Sequence, residues 1–258
     1  MISVPQRLIG IPGVDLIYED GQSWFLRKTL QEATLERQSY IAQLAISLVQ
    51  SGRQEIIPQQ GSKWVVKGGE LLLLPRDIYT ISDLMPESGK FETYLFFLDD
   101  QIIDRFLRVQ NRPSLPANTF PERSLIKQNK SLEMFIHSLL LLHQEMEIRP
   151  AFFQHKLIEL LHLISEALGA DHFVTLLHFL QKSKRKDLKA FMENNFDKAL
   201  TVEDYASLTG RSLSTFRRDF KRYYQQTPQQ WLKNKRLEKA ALLMQEKDLS
   251  IQLIAQEV

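Results

Sequence analysis

The apolar positions divide the chain into a strand-like part and a helical part. Between residues 41 and 98, short apolar or alternating runs are separated by Gly, Pro, Asp and Ser residues, which is typical of closely spaced antiparallel strands. Over 99–181, Leu and Ile recur at intervals of three and four positions, which predicts helices. Residues 1–40 carry scattered Pro and Gly without a clear period, so they predict an irregular arm with a strand or two.

A second helical region follows the charged sequence KSKRKD at 182–187, where we place a domain boundary. The sequence therefore predicts an α+β fold, with a mixed domain over 1–181 and an all-helical domain over 182–258. The helices expected in the second domain cover 187–196, 201–208, 212–223 and 228–245, with a further start at Ser250.

Charge is distributed unevenly between these two regions. The net charge of the 258 residues is +2, but the stretch from Lys182 to Val258 holds 16 Lys and Arg against 10 Asp and Glu. The excess is sharpest over 211–239, where nine basic residues face two acidic ones. A basic half suggests a polyanion partner, although a solvated helix face would give the same count.

Composition removes several classes of function. The chain has no cysteine, which excludes disulfides, Cys-ligated metal sites and thiol nucleophiles. No apolar run approaches the roughly 20 residues of a membrane-spanning helix, and the first residues lack the pattern of a signal peptide. We therefore expect a cytoplasmic protein with no membrane partner.

A helix-turn-helix is predicted over 201–223. Thr201 and Ser212 stand where helix N-caps are needed, and Gly210 stands where the chain must reverse at a positive φ. Phe216 and Phe220 lie on one face of the second helix and are expected to be buried.

The rest of that second helix is expected to bind double-stranded DNA. Arginine can pair with guanine in the major groove through two hydrogen bonds, whereas Lys, Ser and Thr reach phosphates. We assign base contacts to Ser214, Arg217 and Arg218, near the end of the helix that enters the groove. The expected phosphate contacts are Ser212, Thr215, Lys221 and Arg222.

The stretch 187–258 resembles the DNA-binding domain of the AraC/XylS family of bacterial transcription regulators. The family's domain has two helix-turn-helix units joined by one long helix, which the resemblance places at 228–245, with the second unit starting at Ser250. The chain ends at Val258, where relatives continue, so a truncated product is expected. The residues that carry the resemblance are Ser212 to Phe220, Thr227-Pro228, Trp231-Leu232, Arg236-Leu237, Ala240, Leu243, Ser250-Ile251 and Ile254-Ala255.

Residues 44–82 are similar to the cupin-like sensor barrel of the same family, including the turn at Gly69–Pro75. A ligand pocket in such a barrel is mostly apolar. Many cupins bind metal through His clusters, but no His precedes His137, so we expect no metal and no cofactor. The candidate lining residues are Trp64, Tyr79, Tyr94 and Phe96.

The helical pair at 131–146 and 152–168 resembles the dimerisation helices of family sensors, and its surplus of Leu and Ile suggests a homodimer. The pair, together with FMEN at 191–194, is also similar to the subgroup that activates type III secretion genes under protein anti-activators. The resemblance therefore implies a transcription activator that works with RNA polymerase under a small effector or a regulatory protein. Two alternatives stay open: a cupin-type small-molecule enzyme, and a protein-interaction module without DNA binding.

Overall fold

Strands dominate the first hundred residues, and helices dominate the described residues that follow. The computed structural model describes residues 2–59, 61–87, 89–110, 125–146, 149–181, 186–246 and 254. Contacts divide the chain into two compact units, Met1–Gln181 and Lys182–Val258. The strands of the first unit are β1 (Ile2–Val4), β2 (Val14–Glu19), β3 (Trp24–Leu30), β4 (Thr34–Ile41), β5 (Leu44–Ser51), β6 (Arg53–Pro58), β7 (Trp64–Lys67), β8 (Glu70–Leu74), β9 (Asp77–Leu84), β10 (Phe91–Leu98) and β11 (Leu125–Lys127).

These strands form two sheets. The first has the order β1-β4-β9-β6-β7 and the second the order β11-β8-β5-β10-β3-β2. The pairing of β1 with β4 is parallel and every other pairing is antiparallel. The two sheets share an apolar core that includes Leu26 and Phe97 of the second sheet and Ile56 and Tyr79 of the first. This arrangement confirms the expected cupin-like barrel.

The prediction of an irregular arm over 1–40 was wrong, because four strands lie there. The strand β3 pairs with β10 over its whole length, from Trp24 opposite Phe97 to Leu30 opposite Phe91. Arg27 and Lys28 interrupt its apolar residues, so the strand lacks the period-two alternation by which a strand is recognised in a sequence. One of its partners, β2, is the preceding strand, but the other, β10, is more than sixty residues away in sequence, so no local signal could reveal that second pairing.

The second sheet is covered on both faces, which explains why β5, β8 and β10 are apolar almost without interruption. Its far face packs against the helices of the first unit through a second core, in which Phe25 stacks on Phe96 with ring centroids 4.3 Å apart. The helices of this unit are α1 (Asp100–Arg108), α2 (Lys130–Glu145), α3 (Pro150–Leu168) and α4 (Ala170–Gln181).

The second unit is helical throughout its described residues, as the sequence predicts. Each helix starts at a capping residue, with Asp187 accepting a hydrogen bond from the Ala190 amide and Thr227 from the Gln230 amide. The second helix-turn-helix expected from Ser250 lies outside the described residues, except that Ile254 is buried with Ala240 and Leu243. The helices are α5 (Leu188–Asn195), α6 (Val202–Leu208), α7 (Leu213–Tyr224) and α8 (Pro228–Glu246).

Candidate nucleic-acid interface

The turn between α6 and α7 has the geometry of a helix-turn-helix. The Thr201 hydroxyl accepts from the Asp204 amide at 3.1 Å, and the Asp204 carboxylate accepts from the Thr201 amide at 2.8 Å, which is a complete capping box. Gly210 has a φ of 68°, and the Arg211 amide donates to the Ala206 carbonyl at 2.9 Å. The motif predicted from the sequence is therefore confirmed.

The inner face of α7 holds the motif together. Phe216 and Phe220 are both 0% exposed. The Phe220 ring lies 5.5 Å from Phe216, 4.6 Å from Tyr224 and 5.6 Å from Trp231 of α8, measured between centroids. The predicted burial of both phenylalanines is confirmed. Because this core fixes the rotation of α7, it also decides which side chains face outward.

The opposite face of α7 carries exposed polar and basic side chains. Ser214, Arg217, Arg218 and Lys221 are all exposed and follow the spacing i, i+3, i+4, i+7, which places them along one helix face. The structure therefore aligns the three candidate base-contacting residues and adds Lys221 to the same face. A helix that presents such a face can enter the major groove of DNA.

Both arginines are available to a ligand. The side chains of Arg217 and Arg218 are 52% and 77% exposed. Their guanidinium nitrogens approach Glu203 at 3.7 Å and Asp219 at 3.8 Å, distances beyond a normal hydrogen bond. Exposed pairs of this kind contribute about 0–1 kcal/mol, so little holds the arginines in place.

The candidate phosphate-contacting residues lie at the two ends of α7, with Ser212 and Thr215 at its start and Lys221 and Arg222 in its last turn. Ser212 is the N-cap, and its hydroxyl accepts from the Thr215 amide at 3.3 Å and donates to the Thr215 hydroxyl at 2.9 Å. These two hydroxyls therefore already serve the helix start. Arg222 is exposed one position beyond Lys221, at the side of the outward face.

Arg211 has a role that the charge count did not reveal. Its side chain is 9% exposed. Its Nη1 donates to the carbonyls of Lys186 at 3.0 Å and Thr209 at 2.8 Å, while its Nε donates to Asp219 at 3.2 Å. Arg211 thus ties the turn to α7 and to the start of the unit. It was counted among the basic residues of 211–239, but it does not belong to the exposed face.

A buried tyrosine fixes α6 from the other side. The Tyr205 hydroxyl donates to the Asn195 carbonyl at 2.7 Å, and the side chain is fully buried. Burial raises the pKa of Tyr205 to about 12, and burial likewise raises the pKa of Tyr224 to about 12. Both phenols are therefore neutral at physiological pH and act as structural donors or ring contacts.

The four candidate pocket residues of the first unit are not brought together. Trp64 and Tyr79 contact one another at 6.0 Å in the core between the sheets, whereas Tyr94 and Phe96 lie in the core that faces the helices. The second sheet separates the two pairs, so the four cannot line one pocket. Burial raises the pKa of both Tyr79 and Tyr94.

Two further features are absent from the described part of the chain. No group of three or more His, Asp or Glu side chains there could hold a metal ion. No helix among those residues is long and apolar enough to cross a membrane.

Comparison with known proteins points in the same direction as the geometry. Residues 44–176 match the domain family described as the ExsA N-terminal regulatory domain, and residues 205–258 match a helix-turn-helix domain family. None of the curated proteins compared with the chain matches it.

Solved structures resemble the chain at low sequence identity. ToxT from Vibrio cholerae strain SCE256, solved with an unsaturated fatty acid bound, is 10% identical, with a TM-score of 0.45 over 92% of this chain and 86% of that one. A cupin superfamily protein from Desulfitobacterium hafniense is 14% identical, with a TM-score of 0.29 over 34% of this chain and 76% of that one.

Proposed function

We propose a DNA-reading mechanism for this chain, which belongs to the AraC/XylS family of bacterial transcription regulators and carries an N-terminal regulatory domain of the ExsA type. The protein is a DNA-binding transcription regulator, and α7 is the helix that enters the major groove. The observation that carries this proposal is the outward face of Ser214, Arg217, Arg218 and Lys221, which lies opposite the buried Phe216 and Phe220.

Within that face, Ser214, Arg217 and Arg218 contact bases. Each arginine offers a planar pair of donors that fits the two acceptors of guanine. Their long contacts to Glu203 and Asp219 break at little cost when DNA binds. Lys221 and Arg222 contact phosphates, together with Ser212 and Thr215 at the helix start, where exposed amides and the helix dipole favour an anion.

The test separates base reading from charge attraction. Arg217→Ala and Arg218→Ala should each weaken binding to the cognate site by about 1–3 kcal/mol and relax the preference at one or two base pairs. Lys221→Ala should weaken binding to all sequences alike and reduce the slope of affinity against salt by about one unit. Lys189→Ala, an exposed lysine on α5, is the matched control and should change neither quantity.

Cognate sites can be obtained by selection from a random DNA library, followed by mobility-shift titrations at several salt concentrations. If both arginine variants keep the wild-type sequence preference, α7 does not read bases and the proposal fails.

The first unit regulates the second in this proposal. We place a homodimer contact on α2 and α3, where Met134, Leu141 and Phe152 are exposed and Met134 and Leu141 lie two helical turns apart. The dimer would act in the cytoplasm as an activator that contacts RNA polymerase, under a small effector or a regulatory protein.

A further inference from the structure

A cluster of polar side chains lies between the two sheets, within an otherwise apolar core. Lys28 and Asp83 form an ion pair and are 5% and 1% exposed. The second oxygen of Asp83 accepts from Gln54 Nε2 at 2.7 Å, and Gln54 Oε1 accepts from the Ser47 hydroxyl at 2.9 Å. Each of these groups therefore has a partner, as burial demands.

Arg37 is the exception in this cluster. Its Nη1 is buried and has no hydrogen-bond partner among the described residues. Those residues also offer no ion-pair partner to its guanidinium. A buried donor without a partner costs about 1–3 kcal/mol, and more when the group is charged. Such a group calls for an explanation.

The unpartnered nitrogen is next to a cavity. A cavity of about 40 Å³ lies between the sheets and is lined by Arg37, Lys28, Gln54 and Asp83 on its polar side. Its other walls are apolar and include Ala45 and Phe97. Two cations and one carboxylate therefore face the same space, which leaves one positive charge without a counter-charge there.

The backbone departs from regular strand geometry next to Arg37. The pairing of β4 with β9 shifts between Thr34 and Arg37, and Glu36 has a φ of 48°, in the left-handed region that residues other than glycine rarely adopt. The Glu36 amide is held by a hydrogen bond to the Ser82 hydroxyl at 2.9 Å. Strain of this kind persists only where the surrounding structure enforces it.

We propose that this cavity binds a short-chain monocarboxylate, whose carboxylate pairs with Arg37 and whose alkyl group lies against the apolar walls. One negative charge balances the two cations and Asp83. A guanidinium prefers a carboxylate because both are planar and can form two parallel hydrogen bonds. The cavity volume of about 40 Å³ limits the ligand to a few non-hydrogen atoms, which excludes a long acyl chain.

Whether the cavity binds a carboxylate is independent of the proposed function. A role for that carboxylate as an effector of DNA binding rests on the proposed function. The first experiment therefore measures binding alone, by titrating the full chain with sodium acetate in a calorimeter and with sodium chloride at equal ionic strength. Saturable binding of acetate but not of chloride is expected. Arg37→Gln should weaken acetate binding about tenfold or more, because the paired donors are lost.

The matched control is Arg53→Gln, an arginine on β6 whose side chain is 57% exposed. This variant should bind acetate as the wild type does. Arg37→Lys keeps the charge but not the planar pair of donors, so it should bind acetate more weakly than the wild type and more tightly than Arg37→Gln. The melting temperature without acetate shows that each variant is folded.

Three results would overturn the proposal: no saturable acetate binding, equal binding by Arg37→Gln, or binding of octanoate but not of acetate. A second experiment repeats the mobility-shift titration with and without acetate. If acetate binds but the chain has no affinity for DNA, the site stands and the proposed function fails.

Discussion

The burial of Phe220 makes a quantitative prediction about the stability of the helix-turn-helix. Moving a phenylalanine side chain from water into a fully buried site stabilises the folded state by about 1.5–3 kcal/mol. Truncating it to alanine also leaves a cavity and removes contacts with other rings. The Phe220 ring has three such contacts, with Phe216, Tyr224 and Trp231. Phe220→Ala should therefore lower the free energy of unfolding of the helical unit by about 3–5 kcal/mol.

The assay is urea unfolding followed by Trp231 fluorescence. The sequence has three tryptophans, so a background with Trp24→Phe and Trp64→Phe leaves Trp231 as the sole tryptophan signal. Domains are typically stable by about 5–15 kcal/mol, so the variant can be partly unfolded without urea. Phe220→Leu, which removes fewer atoms, then gives an intermediate midpoint that still reports on the site.

Tyr223→Ala is the matched control, because Tyr223 is the next aromatic residue on α7 and is 62% exposed. Its substitution should change the unfolding free energy by about 0.5 kcal/mol or less. If Phe220→Ala unfolds at the same urea concentration as Tyr223→Ala, the packing of α7 described above is wrong.

Two further outcomes are expected in the same unit. Thr201→Ala removes the hydroxyl of the capping box and should cost about 1 kcal/mol in the same urea titration, whereas Thr201→Ser should cost less because the hydroxyl remains. Burial raises the pKa of Tyr205 to about 12, so an unfolded chain would ionise this tyrosine first, near pH 10. The contribution of neutral Tyr205 to stability is complete below about pH 10 and is lost as pH rises through about 12. Urea midpoints should therefore fall across that window, and they should fall less steeply in Tyr205→Phe. Equal slopes for the two proteins would contradict this explanation.

Local sequence signals were sufficient for the helical unit. Its capping residues, the glycine of its turn and the apolar face of α7 each act on residues only a few positions away, so each could be identified without knowledge of the fold. The predicted helix at 212–223 and the observed α7 differ by one residue at each end. Phe216 and Phe220 were assigned to the core from spacing alone, and both are fully buried.

The strands of the first unit were predicted less well, because their pairing joins distant residues. Arg27 and Lys28 interrupt an otherwise apolar strand, and each has its partner far away, with Arg27 bound to Glu92 at 2.7 Å and Lys28 paired with Asp83. In the sequence alone, Arg27 and Lys28 are two adjacent charges in a region without a clear hydrophobic period, so nothing there indicates a strand. The polar cluster between the sheets was missed for the same reason, since its members come from different strands.

The distribution of charge shows what a count of basic residues leaves out. Of the nine basic residues in 211–239, three are held by short bonds within their own unit. Arg211 and Arg236 donate to backbone carbonyls, and Lys239 pairs with Asp197 at 2.7 Å. Lys235 is half-buried and approaches Glu193 only at 3.7 Å. The other five are exposed, and all but Lys233 lie on α7: Arg217, Arg218, Lys221 and Arg222.

The excess of charge that the sequence spreads over 29 residues is therefore concentrated by folding on a single helix of 12. Arg211, Arg236 and Lys239 cannot neutralise a phosphate without first breaking short bonds that stabilise the unit, so these three residues should contribute little to affinity. The four exposed cations of α7 pay no such cost, because long and solvent-exposed pairs are weak. Burial of the phenylalanines and alignment of the cations are thus two results of the same helical periodicity, so a change that rotates α7 would disturb both stability and DNA reading.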